Sequence, residues 1–227
     1  MQDIENNLAR IHREIEQAAA EYNRDSRDIS LLAVSKKKRP VDLRCAYDCG
    51  QRDFGENFLQ EAQAKMRELA DLEIVWHFIG PVQSNKTRVL AESFDWVHCV
   101  DRPKIAQRLS NQRPESMPPL NVCIQVNIDL EASKSGVAVD DIVTLAESIG
   151  DLPNIRLRGL MAIPAPQFEF ELQREAFAKL NQALQGLQQR GLDCDTLSMG
   201  MTHDMRAAIA EGSTLVRIGT AIFGERL

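Results

Sequence analysis

The chain has 227 residues, 44% of them hydrophobic and 26% charged, an ordinary globular composition with enough length to bury a sizeable core. Its 27 Lys and Arg against 33 Asp and Glu leave a formal net charge of -6, a field that repels polyanions and disfavours nucleic acid as the main partner. No run approaches the roughly eighteen apolar residues of a membrane span, and residues 1–8 carry no leader pattern, so a soluble chain without a membrane partner is expected.

In chain order, residues 3–21 set Ile4, Leu8, Ile11, Ile15 and the Ala18/Ala19 pair at helical spacing among polar residues, predicting an amphipathic N-terminal helix. Residues 29–35, ISLLAVS, form an apolar run suited to a strand buried on both faces. Pro40 opens a predicted helix that Gly50 ends. Short apolar segments recur at residues 53–55, 74–79, 96–100 and 122–128, each followed by a helix-like stretch. Residues 157–163, 196–200 and 215–218 supply three more strands, with helices over 168–190 and 204–210. Eight strands alternating with helices predict right-handed parallel crossovers. They close into a single TIM-type (β/α)8 barrel over residues 1–227, one domain with an additional N-terminal helix. An open doubly wound sheet is the alternative.

Cys45, Cys49, Cys99, Cys123 and Cys194 are an odd, scattered set without structural-zinc spacing. Free thiols in a reduced cytoplasm, and no metal, are expected.

In such a barrel the carboxyl ends of the strands converge on one face, and a phosphate commonly sits at the last two βα loops. That rule places Lys36 just past the first strand, Asn57 past the second and His77 near the end of the third. Met201 and Thr202 follow the seventh strand; Gly219 and Thr220 follow the eighth. Residues 198–205, SMGMTHDM, read either as an anion-binding helix start with the Thr202 hydroxyl as a donor or as a plain N-cap. In VRIGTAIFG, residues 216–224, Arg217 lies near the strand end and Gly219 lets backbone approach a ligand. No P-loop or dinucleotide fingerprint is present. Lys36 is either a solvated charge or an amine partly desolvated in the mouth, and such an amine can form an imine with an aldehyde. His77 reads as a packed, hydrogen-bonded strand residue and His203 as a surface residue at a helix start. SNK at 84–86 and SKSG at 133–136 have turn composition and are alternative anion contacts.

Taken together, LLAVSK, FGEN, WHFIGPVQSNK, SKSG, GLMAI, GMTHDM and VRIGTAIFG span almost the whole chain. With them the sequence resembles the pyridoxal 5'-phosphate homeostasis protein family, the YggS/PROSC-like proteins. The resemblance implies a barrel like the N-terminal domain of alanine racemase, binding pyridoxal 5'-phosphate (PLP) as an aldimine on Lys36. It implies a phosphate loop at Met201 and Thr202 joined by Gly219 and Thr220, Arg217 facing the pyridine nitrogen, and Asn57 beside the cofactor. It further implies a role in vitamin B6 and amino-acid homeostasis without catalytic turnover. A guanidinium beside the ring nitrogen disfavours its protonation and weakens the ring as an electron sink. Two positions depart from the family pattern: Thr202 stands where serine is usual, and Lys37-Lys38 where Thr-Lys is usual.

A noncatalytic PLP carrier passing the cofactor to PLP-dependent apoenzymes is the leading expectation. A PLP-dependent racemase or lyase is the alternative, and a regulatory module reporting cofactor status is a third. Racemisation needs acid–base groups on both faces of the substrate, whereas Tyr22 and Tyr47 fall on predicted helices away from the mouth. No racemase-like second domain follows Leu227, so a monomer is expected.

Overall fold

The computed structural model describes residues 2–129, 131 and 135–224. Eight parallel strands close a barrel in sequence order: β1 (Ser30–Val34), β2 (Asp53–Glu56), β3 (Val75–Phe78), β4 (Trp96–Val100), β5 (Leu120–Val126), β6 (Ile155–Ala162), β7 (Thr196–Ser198) and β8 (Leu215–Ile218). Closure joins β8 to β1 with Leu32 opposite Arg217 and Ala33 opposite Ile218. A closed sheet has no free edge, so the open doubly wound alternative does not apply.

The helices are α1 (Gln2–Glu21), α2 (Pro40–Asp48), α3 (Leu59–Glu68), α4 (Thr87–Ser93), α5 (Pro103–Gln112), α6 (Ile142–Gly150), α7 (Phe170–Gln189), α8 (Met205–Ala210) and α9 (Thr220–Phe223). Prolines at the first position of α2 and α5 start those helices where no N–H is needed. Gly50, at φ +99°, ends the first of them in the left-handed conformation that glycine adopts without strain. Leu31 to Ala33 and Leu215 to Ile218 are buried throughout, as strands covered on both faces should be.

The N-terminal helix bears on the site. Leu8, Ile11, Ile15 and Ala19 of α1 are buried, and the helix packs on α2, α8 and α9. Asn7 Nδ2 donates to Ile222 O at 2.9 Å, and the Arg10 Nη2 reaches Ala221 O at 3.0 Å. Arg24 Nη1 donates to Ile209 O and Ser213 O at 2.9 and 2.6 Å. These bonds tie down α8 and α9, the two short helices that follow β7 and β8.

Among the described residues no helix is long and apolar enough to cross a membrane, and no group of three or more His, Cys, Asp or Glu could hold a metal ion. Cys99, Cys123 and Cys194 are buried free thiols. Burial pushes Cys99 up to about 12 and Cys194 up to about 11, leaving them protonated and unreactive near neutral pH.

Candidate functional site

A cavity of about 420 Å³ opens at the carboxyl ends of the strands, a volume suited to a small cofactor. Lys36, Asn57, Met201, Thr202, Arg217, Gly219 and Thr220 all line it, with Val34, Ile79, Met161 and Ile163 as apolar walls. His203, which the sequence marks as a surface residue at a helix start, and Ala221 also line it.

Lys36 follows a segment that is pinned on both sides. Ser35 is fully buried; its N–H donates to Gly55 O at 2.9 Å and its Oγ to Glu56 Oε1 at 2.6 Å. From α3, Lys65 turns inward, and its Nζ donates to Ser35 O, Glu56 Oε1 and Glu61 Oε1 at 2.7, 2.7 and 2.6 Å. Three acceptors satisfy the three N–H bonds of an ammonium that is 3% exposed. On the far side of Lys36, Lys37 has a φ of 61°, and its N–H donates to Glu61 Oε1 at 2.5 Å. Burial raises the Glu56 carboxyl above the usual range, opposed by Lys65 and Ser35. The four-residue spacing of Glu61 and Lys65 was a visible signal, but it marks surface ion pairs as readily as a buried clamp.

A basic run such as Lys37, Lys38 and Arg39 ordinarily stays in solvent. Lys38 instead turns toward the C-terminal side of the mouth, its Nζ donating to Phe223 O and Gly224 O at 3.1 and 3.0 Å. A cation on the last carbonyls of α9 is favourable, and it links the Lys36 loop to the loop after β8. Arg39 stays exposed and caps α2 with Asp42.

The loops after β7 and β8 present backbone donors. Among the described residues, the N–H groups of Thr202, His203, Thr220 and Ala221 have no protein acceptor, and all four residues line the cavity. The Met201 N–H is already committed to Asp204 Oδ1 at 2.5 Å. Burial raises the Asp204 carboxyl above its ordinary value, against the pull of the Met201 N–H and of Arg217. Gly200 makes the first turn possible: its φ is +96°, and a Cβ there would stand 2.6 Å from that of Ala208. At Gly219 a Cβ would meet Val34 O at 3.1 Å, so glycine lets the end of β8 close onto the end of β1.

Arg217 is buried on β8, where burial lowers its pKa while Asp204 raises it; a guanidinium remains charged throughout. Nη1 donates to Ser198 O and, at 2.9 Å, to Ser198 Oγ. Nη2 donates to Ala162 O at 2.8 Å. Three of five N–H bonds are thereby engaged, and Nε–H and one Nη2–H are left on a residue that borders the cavity. The Asn57 Oδ1 is likewise buried without a partner at the cavity wall.

The remaining motifs separate. SNK forms the turn into α4, with Thr87 Oγ1 donating to Ser84 O at 3.0 Å, and lies outside the Lys36 cavity. Of SKSG, Ser133 and Lys134 fall outside the described residues. Ser135 lines an adjoining hollow of about 280 Å³ that shares Asn57, Ile79 and Ile163 with the cavity. His77 is a buried strand residue within a hydrogen-bond network, as its sequence context suggested. Tyr22 stacks on Phe170 and Tyr47 carries Arg52 over its ring, and neither lines the cavity.

Residues 6–227 match the family described as "Alanine racemase, N-terminal domain". A pyridoxal phosphate homeostasis protein of Pseudomonas aeruginosa is 58% identical over 226 residues, covering 100% of this chain and 97% of that one. The protein of the same name from Escherichia coli K12 is 52% identical over 229 residues, with 100% and 98% coverage. PipY of Synechococcus elongatus, solved with PLP bound, superposes with a TM-score of 0.81 at 36% identity, covering 92% of this chain and 99% of that one. Alanine racemase from Corynebacterium glutamicum shares the fold, with a TM-score of 0.70 at 18% identity, covering 97% of this chain and 60% of that one.

Proposed function

This chain belongs to the pyridoxal phosphate homeostasis protein family, and from that premise we propose that it binds PLP at the carboxyl-end mouth, held covalently through Lys36. On this reading it limits free cofactor and hands it to PLP-dependent apoenzymes, and it turns over no substrate of its own. The supporting observation is one of fit. An amine at Lys36, four backbone N–H groups without acceptors and two undirected N–H bonds of Arg217 border a single cavity.

When bound, PLP supplies an aldehyde that condenses with an amine to an imine and water, and a pyridine ring that can accept negative charge. The residues divide that work. Thr202, His203, Thr220 and Ala221 offer backbone donors to the phosphate, and the Thr202 and Thr220 hydroxyls add two more. Met201 contributes its side chain to the wall, since its N–H is held by Asp204. Gly219 provides the close approach, and Asn57 places an amide beside the ring. The Ser35, Glu56, Lys65 and Glu61 cluster holds the backbone from which Lys36 projects.

Arg217 favours holding over turnover. Beside a bound pyridine ring this permanent cation would disfavour protonation of the ring nitrogen, whereas a carboxylate there would favour it and deepen the electron sink. Close relatives are named for homeostasis and not for a reaction. Neither tyrosine stands at the mouth to serve the opposite face of an amino acid. We propose one domain acting as a monomer, which light scattering on the full chain tests.

Incubation with PLP, borohydride reduction and peptide mapping should place the adduct on Lys36. An adduct chiefly on another lysine, or undiminished labelling of Lys36→Ala, refutes the assignment. Loaded protein should then activate a PLP-dependent apoenzyme, and a chiral assay should show no Lys36-dependent racemisation.

A further inference from the structure

Arg217 heads a column of polar side chains that crosses the barrel interior. Its Nη1 lies 2.9 Å from Ser198 Oγ at the end of β7, and that oxygen lies 2.8 Å from His98 Nδ1 on β4. His98 Nε2 is 2.9 Å from His77 Nδ1 on β3, and His77 Nε2 is 2.9 Å from Asp53 Oδ1 at the start of β2. Ser198, His98 and His77 are buried, while Asp53 is half-buried at the opposite mouth beside Arg24 and Asp195. Barrel interiors are ordinarily filled by branched aliphatic side chains, so this polar column departs from the rule.

The two ends dictate the order of protons. Arg217 can only donate, and an ionised Asp53 can only accept. The neutral arrangement that satisfies every contact then runs one way. Ser198 Oγ accepts from Arg217 and donates to His98 Nδ1; His98 Nε2–H donates to His77 Nδ1; His77 Nε2–H donates to Asp53. In that arrangement both histidines are Nε2–H tautomers. Reversing the column would set a bare His77 Nε2 against a carboxylate and turn the Ser198 hydroxyl away from His98.

The surroundings keep His98 neutral. Burial, then His77, then Arg217 hold His98 well below the usual imidazole value. Trp96 stacks on His77 at 5.3 Å with its ring nearly parallel, and Arg158 of β6 lies over that indole. Asp204, Cys99 on β4 and Cys123 on β5 act on Arg217 from the elements around it.

We propose that Asp53, His77, His98 and Ser198 are positioning residues for Arg217: the carboxylate at the amino-end mouth orients the column, and the column fixes the guanidinium that faces the cofactor ring. The inference rests on the assignment of PLP to the carboxyl-end mouth. Its reach is that a residue across the barrel from the cofactor governs the ring's electrostatic environment.

The test uses the full chain, wild type and Asp53→Asn, with Asp53→Glu as the conservative rescue. Long-range 15N–1H correlation on ligand-free protein reads the tautomers, and the pH titration of the PLP imine absorbance reads the site. Expected are Nε2–H tautomers for His77 and His98 in the wild type and mixed Nε2–H and Nδ1–H populations in Asp53→Asn, whose amide offers both an acceptor and a donor to His77. The imine midpoint should move by about half a pH unit or more in the same variant, with Asp53→Glu restoring both. Nδ1–H tautomers in the wild type, or tautomers unchanged in Asp53→Asn, overturn the column whatever PLP does. Tautomer populations that shift under an unmoved imine midpoint overturn its link to Arg217. A wild type that takes up no PLP refutes the functional reading and the link to the ring, while the tautomers still decide the column. Should Asp53→Asn fail to fold, Ser198→Ala carries the same imine readout, and an unmoved midpoint there overturns the proposal.

Discussion

Lys65→Met tests whether a buried ion pair supports the segment that carries Lys36. Methionine keeps the apolar stem and removes the ammonium that serves Ser35 O, Glu56 Oε1 and Glu61 Oε1. Glu61 is partly exposed and can turn to water. Glu56 cannot: its side chain is fully buried, its Oε2 already lacks a partner, and only the Ser35 hydroxyl remains on Oε1. Breaking one side of such a pair costs about 3–5 kcal/mol.

The charge can be relieved only by protonation. Against an unfolded Glu pKa of about 4.3, holding a proton at pH 7 costs about 3.7 kcal/mol, falling to about 1 kcal/mol at pH 5. The sign follows from a folded pKa raised above the unfolded one. Stability is fully present below the unfolded value and is lost as pH rises toward and through the folded value. Lys65→Met should therefore lower the urea midpoint by about 1–1.5 M near neutral pH, with m near 3 kcal/mol per M, and by much less at about pH 5. Adding Glu56→Gln should recover most of the loss at neutral pH. A loss equal at both pH values, or one that Glu56→Gln leaves in place, refutes the account.

Other predictions concern the cradle. Thr202→Val and Thr220→Val should each weaken PLP binding about 10-fold, the worth of a hydrogen bond to a charged group, as measured by fluorescence titration; an unchanged Kd would remove that hydroxyl from the site. Asp204→Asn keeps an acceptor for the Met201 N–H but removes a half-buried negative charge beside the phosphate loops, so binding should tighten several-fold, most clearly at low salt. Because burial raises the folded Asp204 pKa, the same variant should gain stability near neutral pH, a gain that shrinks as pH falls through the folded value and is gone by about pH 4. Gly200→Ala forces a Cβ to 2.6 Å from Ala208 Cβ at φ +96°. It should cost about 2–3 kcal/mol in denaturant titration and weaken binding through the Thr202 loop.

Much of the site was legible because strand ends are local features. An apolar run ending at Ser35 locates Lys36 on the rim, and a glycine followed by a threonine locates the loop after β8. The contacts that prepare those residues were not legible. Lys65 looks like a surface helix residue until α3 is laid against β2, and Lys38 looks like part of a basic run until α9 presents its last carbonyls. The network around His77 was equally hidden, since it joins β2, β3, β4, β7 and β8.

The sequence by itself determined the alternation of strands and helices and the chemical types at the strand ends, because periodicity and residue chemistry are properties of short stretches. Barrel closure decided the rest. Pairing β1 with β8 brings Lys36 to the loops that begin at Met201 and Gly219. The enclosed interior then pairs Glu56 with Lys65 and joins His98 to Arg217 through Ser198.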